Sequence, residues 1–279
     1  LQDVDEFLSV FLDRLERQLM PLPQKSLLEH VFGGRLCNQL IGQETEGEGC
    51  PHVSEREEDF FVLSLEVKGK RSITDSLQLY VEGEVLDGDN KFHCDPCGKK
   101  RATLKRACIS HLPNVLILHL KRFEFDFELM RKVKVNDLCK FPMELDMRPY
   151  TKEGLEREQG QGPNTSLCTL STGAKGVEEG DSYYIYHLAG VLVHTGTADS
   201  GHYYSYIKER SSLGGGDGRW LSFNDAIVMP FDPAHLPRSC YGGYSPGVGG
   251  RGMSVKQFSA YMLIYERRSV MPPNPKTRP

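Results

Sequence analysis

Apolar residues recur through the first stretch of the chain at helical spacing. Val4, Phe7, Leu8, Phe11, Leu12 and Leu15 fall three and four apart, which predicts a helix over residues 3–18. Asp3, Asp5 and Glu6 crowd its first turn, where carboxylates suit the positive helix end. Ile73, Ser76, Leu77 and Tyr80 share one face of a second helix over 72–81. The other apolar segments have strand character. Residues 32–68 read as two strands around a polar loop, Gln43 to Glu58, rich in Glu and Gly. Val115 to Leu120 is a continuous apolar run typical of a strand buried on both faces, so His119 within it reads as a satisfied core residue. Lys132 to Val135 is a short strand, and Phe141 to Met147 is extended. From Tyr183 on, the runs Tyr183–Val193, Tyr203–Lys208, Trp220–Asn224 and Ala260–Glu266 predict an antiparallel sheet, with His194 to Gly201 as a loop. Between these blocks the period fails. Residues 151–181 read as a flexible insertion, because they cannot bury enough surface to offset their ordering entropy. Ser239 to Gly252 is a second Gly-rich loop, and the chain closes in a Pro-rich basic tail.

Composition narrows the class. A chain of 279 residues, 39% hydrophobic and 26% charged, reads as soluble and globular with a real core. The longest apolar runs are far short of a membrane span, so no membrane partner is expected, and no signal peptide is visible. A net charge of −4 argues against nucleic acid and favours a basic partner surface. Lys99, Lys100, Arg101, Lys105 and Arg106 accordingly read as a solvated strand face. Eight cysteines that include a C-x-x-C fit a reducing compartment, cytosol or nucleus, and metal use rather than a disulfide frame.

Two motifs carry chemistry. Ser200-Gly201-His202-Tyr203-Tyr204-Ser205-Tyr206 places a His after a Gly, which permits a sharp turn, at the start of a strand. Trp220-Leu221-Ser222-Phe223-Asn224-Asp225 returns as a neighbouring strand after the Gly-rich stretch 211–218. Such a hairpin brings His202 beside Asn224 or Asp225, giving two-thirds of a nucleophilic triad. Strand alternation lets only one of the two face the His without a local bulge. The second motif is Cys94-Asp95-Pro96-Cys97-Gly98, one knuckle of a zinc ribbon. Cys50 is a third candidate ligand, and Cys37, His52 or His93 would complete a tetrahedron.

In their joint order, the opening Leu1-Gln2-Asp3-Val4-Asp5-Glu6-Phe7, CDPCGKK, LPNVLILHLKRF, KFPMELDM, SGHYYSY, W-x-x-F-N-D and the strand Tyr261–Tyr265 resemble the catalytic domain of the ubiquitin-specific proteases, papain-like cysteine deubiquitinases. The resemblance covers residues 1–150 and 183–268. It implies an α+β fold, mostly antiparallel β, with fingers, palm and a partial thumb. Residues 1–30 would be the thumb remnant, 31–115 the fingers, 116–150 with 183–268 the palm, 151–182 an insertion and 269–279 a tail. It further implies His202 as general base, Asn224 as the partner that accepts its Nδ1 proton, and Asp225 as an auxiliary polar residue. Asp3 and Glu6 would meet the arginines of the ubiquitin tail. Phe123, Gly201 and Tyr203 would border the tail channel, and a zinc ribbon would grip ubiquitin's globular body. None of the eight cysteines has the setting of a nucleophile at a helix start. The nucleophile is therefore expected upstream of Leu1, with ubiquitin and ubiquitinated proteins as partners. The alternative is a non-catalytic ubiquitin-binding module.

Overall fold

Helix α1 (Val4–Leu19) begins where Asp3 turns out of the helix and accepts the Asp5 amide at 3.0 Å. A short side-chain acceptor at that position satisfies an amide the helix itself leaves unpaired. The computed structural model describes residues 3–43, 50–158, 182–210, 218–246 and 252–267. Val4 and Leu8 turn inward onto Ile117, Tyr261 and Met262, whereas Phe7, Val10 and Phe11 stay exposed. Helix α2 (Leu27–Phe32) then leads into the first of the two larger sheets among the described residues.

That sheet has four antiparallel strands. β1 (Gly34–Gly42) lies between β2 (Val53–Phe60) and β7 (Thr103–His111), and β4 (Glu84–Leu86) pairs with β7 on the far side. β2 occupies much of the stretch that reads as a polar loop in the sequence. It is an edge strand exposed along nearly its whole length, so water on both faces erases the alternation that identifies strands. Its charges meet ions across the ladder instead, with Arg35 3.2 Å from both Glu57 and Asp59. Arg106, expected on a solvated face, is buried and donates to Gln39 Oε1 at 2.8 Å. The hairpin of β5 (Phe92–Cys94) and β6 (Lys99–Arg101) projects beside this sheet as a separate two-stranded unit.

The second sheet has eight strands. β3 (Val62–Glu66), which follows β2 after one residue, runs parallel to β8 (Val115–Lys121) at one edge. β8 pairs with β18 (Phe258–Arg267), β18 with β12 (Ile185–Gly196), β12 with β13 (Gly201–Lys208), β13 with β14 (Trp220–Asn224), and β14 with the edge strand β15 (Ile227–Phe231), all antiparallel. The short β11 (Glu144–Asp146) also pairs with β12. As its continuous apolar run predicts, β8 is buried on both faces. Leu116, Leu118 and Leu120 enter the main core with Ile73, Leu77 and Val81 of α3 (Ile73–Glu82), while Ile117 points to α1. Burying a Leu of this kind is worth about 1.5–3 kcal/mol.

Smaller elements frame the sheet. β9 (Phe123–Asp126) and β10 (Arg131–Lys134) form a hairpin with Phe127, Leu129 and Met130 exposed near its tip. Lys152–Glu158, the start of the stretch that reads as an insertion, is helix α4. The remainder of that stretch, the 269–279 tail and Cys168 lie outside the described residues. Much of the second Gly-rich loop is ordered: Ser239 and Cys240 end α5 (Leu236–Cys240), and β16 (Tyr244–Pro246) pairs with β17 (Met253–Val255). Among the described residues, no helix is long and apolar enough to cross a membrane.

Candidate active site and metal centre

The strand register places the two halves of the His motif. Tyr206 pairs with Ser222 and Lys208 with Trp220, so Asn224 shares a sheet face with Tyr204 and His202 and lies diagonally across from the His. His202 Nε2 sits 2.6 Å from Asn224 Oδ1. β14 then ends, and Asp225 takes a left-handed backbone conformation, φ 51°, in the turn into β15. This turn frees Asp225 from strand alternation and brings its Oδ2 to 3.8 Å from the same Nε2. The structure therefore brings both candidates to the His, one by strand pairing and the other by the turn. The engaged nitrogen is Nε2, not the expected Nδ1. Because Asn224 presents an acceptor oxygen, the neutral ring carries its proton on Nε2 and keeps a lone pair on Nδ1.

Gly201 works differently from the turn glycine expected. It lies in β13 opposite Gly196, and a Cβ there would stand 2.1 Å from His194 Nε2. The missing side chain leaves room for a neighbouring ring. The positive backbone angle belongs to Gly196, φ 111°, where a Cβ would lie 2.4 Å from the Ser200 carbonyl oxygen. β12 runs through His194 to Gly196, so only residues 197–200 form the loop before β13.

The sequence pattern predicts a loop at His194, yet the residue lies within β12. It is fully buried between Phe123, with ring centroids 5.1 Å apart, and Tyr203, at 4.8 Å. Burial, with help from Lys134 and His202 and against Asp3, pulls its imidazole down to about 4, so it is neutral near pH 7. The apolar run Ala189–Val193 leading straight into it was the available signal.

Asp3, Phe123, Glu124, Phe125, Lys132, Ala198 and Tyr203 line a cleft of about 220 Å³ beside this group. Three of the expected substrate contacts, Asp3, Phe123 and Tyr203, thus line the same cleft. Glu6 does not line it and sits exposed on the first turn of α1. The Asp3 carboxylate also accepts a hydrogen bond from the Tyr261 hydroxyl. The Tyr203 hydroxyl is buried beside the Val4 backbone, and burial raises it to about 12.

Ser64, His119 and Asp5 have the residue types of a second triad but not its geometry. Ser64 Oγ, at 3.2 Å, and Asp5 Oδ2, at 3.6 Å, both approach Nδ1 of His119. Its Nε2 is buried with no partner among the described residues, so the residue is half satisfied and cannot relay a proton from one to the other.

The second cluster joins Cys50, His52, Cys94 and Cys97, whose donor atoms all lie within 4.8 Å of one another. Cys50 Sγ is 3.6 Å from both Cys94 Sγ and Cys97 Sγ, and His52 Nδ1 is 3.3–3.6 Å from the three sulfurs. Tetrahedral zinc, with bonds of about 2.3 Å to sulfur and about 2.0 Å to nitrogen, demands donor separations of about 3.5–3.8 Å. The donor set and spacing therefore fit a zinc ion. Hydrogen bonds involving His52 lower the Cys50 thiol to about 7, toward the ligating thiolate. Cys37 is not a member. It sits in β1 directly opposite Cys108 of β7, buried in the ladder, and burial raises its thiol. His93, the other alternative, is not among the four either; its Nε2 lies 3.8 Å from Asp95.

A family model described as ubiquitin carboxyl-terminal hydrolase matches residues 1–265. Ubiquitin carboxyl-terminal hydrolase 9X of Mus musculus is 37% identical over 276 residues, which cover 95% of this chain and 11% of the relative. Ubiquitin carboxyl-terminal hydrolase 24 of Homo sapiens is 37% identical over 279 residues, covering 96% and 10%. The probable ubiquitin carboxyl-terminal hydrolase FAF of Drosophila melanogaster is 36% identical over 281 residues, covering 95% and 10%. The chain thus spans about a tenth of the length of these relatives. With nearly all of its described residues inside the family match, the chain belongs to the ubiquitin carboxyl-terminal hydrolase family.

Proposed function

We propose that the chain forms the base-bearing and substrate-gripping part of a cysteine-type deubiquitinase, which hydrolyses the thioester, isopeptide or peptide bond after the C-terminal glycine of ubiquitin. The observation that carries this reading is His202, held at Nε2 by Asn224, with no Nδ1 partner among the described residues, and followed in the chain by Tyr203, which lines a cleft with Asp3 and Phe123. In the proposed reaction Nδ1 takes the proton of a thiol, and the thiolate attacks the glycine carbonyl. The imidazolium returns that proton to the leaving amine, and water then hydrolyses the thioester, again with His202 as base. Asn224 fixes ring orientation without adding charge, and Asp225 steadies the imidazolium electrostatically. Asp3 and Glu6 offer carboxylates for the arginines of the ubiquitin tail.

The thiol comes from outside the described residues. Among these, three cysteines belong to the metal cluster, Cys37 faces Cys108, and Cys139 and Cys240 are buried with thiols raised to about 11 and 12. The same observation favours the second reading, a module that binds ubiquitin without cutting it. Zinc, when bound by Cys50, His52, Cys94 and Cys97, would act as a structural cross-link between the β5–β6 turn and the start of β2.

A ubiquitin C-terminal reporter tests the reading in the full-length protein that carries this chain. His202→Ala is expected to lower kcat by at least about a thousandfold with ubiquitin affinity unchanged. Asn224→Ala should cost about 10- to 100-fold, the weight of one hydrogen bond to an imidazolium. Unchanged turnover in the His202 variant overturns the base assignment. Binding of ubiquitin with no turnover in the wild type selects the non-catalytic module.

A further inference from the structure

Lys134 ends β10, yet its side chain leaves that hairpin. Nζ donates to the main-chain oxygens of Gln257 at 2.7 Å, His194 at 3.0 Å and Gly196 at 3.3 Å. Three acceptors match the three donors of an ammonium, and a planar guanidinium cannot serve three convergent carbonyls in the same way. Burial, with Arg122 nearby, pulls the amine down to about 8, so it remains the ammonium at pH 7.

The positions of those acceptors give the contact its meaning. His194 and Gly196 lie at the end of β12, and Gln257 immediately precedes β18. The Gln257 oxygen also accepts the Gly196 amide at 2.9 Å, so the ammonium and this amide clamp one point from two sides. Directly across the ladder, Gly196 faces Gly201 and Thr195 faces His202. A glycine adopts the φ of 111° at Gly196 without steric cost and can leave it as easily, so the contacts to its neighbours decide which conformation it keeps. A displacement at Gly196 therefore passes through one pair of strand partners to the imidazole.

We propose that Lys134 is a positioning residue for His202: by holding the carbonyls of His194, Gly196 and Gln257 it fixes the turn that keeps the ring in hydrogen-bonding register with Asn224. The consequence rests on the reading of His202 as the base, whereas the positioning itself can be measured without any substrate. It also ties the β9–β10 hairpin, whose far end exposes Phe127, Leu129 and Met130, to β12, the ladder partner of the strand that carries His202.

Nitrogen NMR of His202 in the 279-residue chain reads the tautomer directly. The wild type should show the neutral ring with its proton on Nε2. In Lys134→Met the ratio of Nε2–H to Nδ1–H is expected to fall about tenfold, as the bond to Asn224 is lost in part of the population. Lys134→Arg keeps charge and bulk, folds more readily, and should shift the ratio in the same direction by less. Lys152→Met, which removes one of the two partners of Glu55 in the four-stranded sheet, controls for general destabilisation and should leave His202 unchanged. A folded Lys134→Met or Lys134→Arg chain with the wild-type ratio overturns the proposal, as does an equal shift in Lys152→Met. A chain in which Lys134→Met moves the ring but the full-length protein neither binds nor cuts ubiquitin sinks the functional reading and leaves the positioning intact.

Discussion

The two sheets are built from the same chain by different physics. In the eight-stranded sheet, Leu65, Leu116, Leu118, Leu120, Val193, Leu263 and Tyr265 are essentially inaccessible, and apolar burial holds the strands together. In the four-stranded sheet β2 is wet along its length, and its contacts are Arg35 to Glu57 and Asp59, Gln39 to Glu55, and Lys152 to Glu55. Exposed ion pairs of this kind contribute only about 0–1 kcal/mol each. An edge strand with so little to bury gains from a cross-link, and the Cys50–His52–Cys94–Cys97 cluster sits where one would serve. The contrast suits the proposed division of labour. The rigid sheet keeps a 2.6 Å contact between His202 and Asn224, and the wet one presents charge to a partner.

Metal removal should break the comparison most severely. If zinc holds the cluster, chelation will collapse hydrogen-exchange protection through residues 92–101 and at the start of β2, while β8, β12 and β18 keep theirs. Structural zinc supplies an apparent 10–16 kcal/mol or so in small zinc-binding peptides, far more than these ion pairs. Elemental analysis that finds no metal, or equal loss of protection in both sheets, removes the cross-link from the account.

A pair of core and edge substitutions sharpens the contrast at smaller scale. Leu118→Ala in β8 is expected to cost about 2–5 kcal/mol in urea unfolding, through lost burial and a residual cavity. Val53→Ala in β2, where the side chain is half exposed, should stay within about 0.5 kcal/mol. Similar midpoints for the two variants would contradict the assignment of stability to the larger sheet.

The smallest effect comes from His194, a titratable group inside the apolar sheet. Its folded value near 4 lies below the ordinary 6.5, so between those pH values the unfolded chain holds a proton that the folded chain lacks. Stability therefore rises with pH across this window and falls on acidification, by about 2–3 kcal/mol at pH 4.5. Carboxylates such as Glu55 also lose stabilisation on acidification, so the test is a difference. The urea midpoint of the wild type should drop more between pH 7 and pH 4.5 than that of His194→Phe. Equal drops would show that the buried ring is not the source.

Legibility in the sequence follows the same divide. β8 announced itself because a strand buried on both faces must be apolar at every position, and α1 because its inward residues keep a helical period. β2 did not, since Glu55, Glu57, Glu58 and Asp59 satisfy no period, and only the ladder to β1 makes them a strand. Among the site residues, His202 and Asn224 were marked by a His after a Gly and a polar end to a Trp-led strand. Asp225 was marked too, but as a competitor of Asn224, because alternation says nothing of a turn that follows the strand. His52 stood as one alternative among three, and the choice over Cys37 required the β1–β7 register that puts Cys37 against Cys108. His194 and Lys134 carried almost no signal, since one continues an apolar run and the other acts through main-chain oxygens far along the chain.

By itself, then, the order of residues determined which segments hide from water and which side chains are able to exchange a proton or hold a metal. Both follow from local composition and spacing. Tertiary structure alone decided which ring nitrogen meets Asn224, which donor joins Cys50, Cys94 and Cys97, and which lysine clamps the turn before His202. Those outcomes depend on register and close approach between strands distant in sequence, and pairing geometry is a property of the assembled sheets rather than of any one segment.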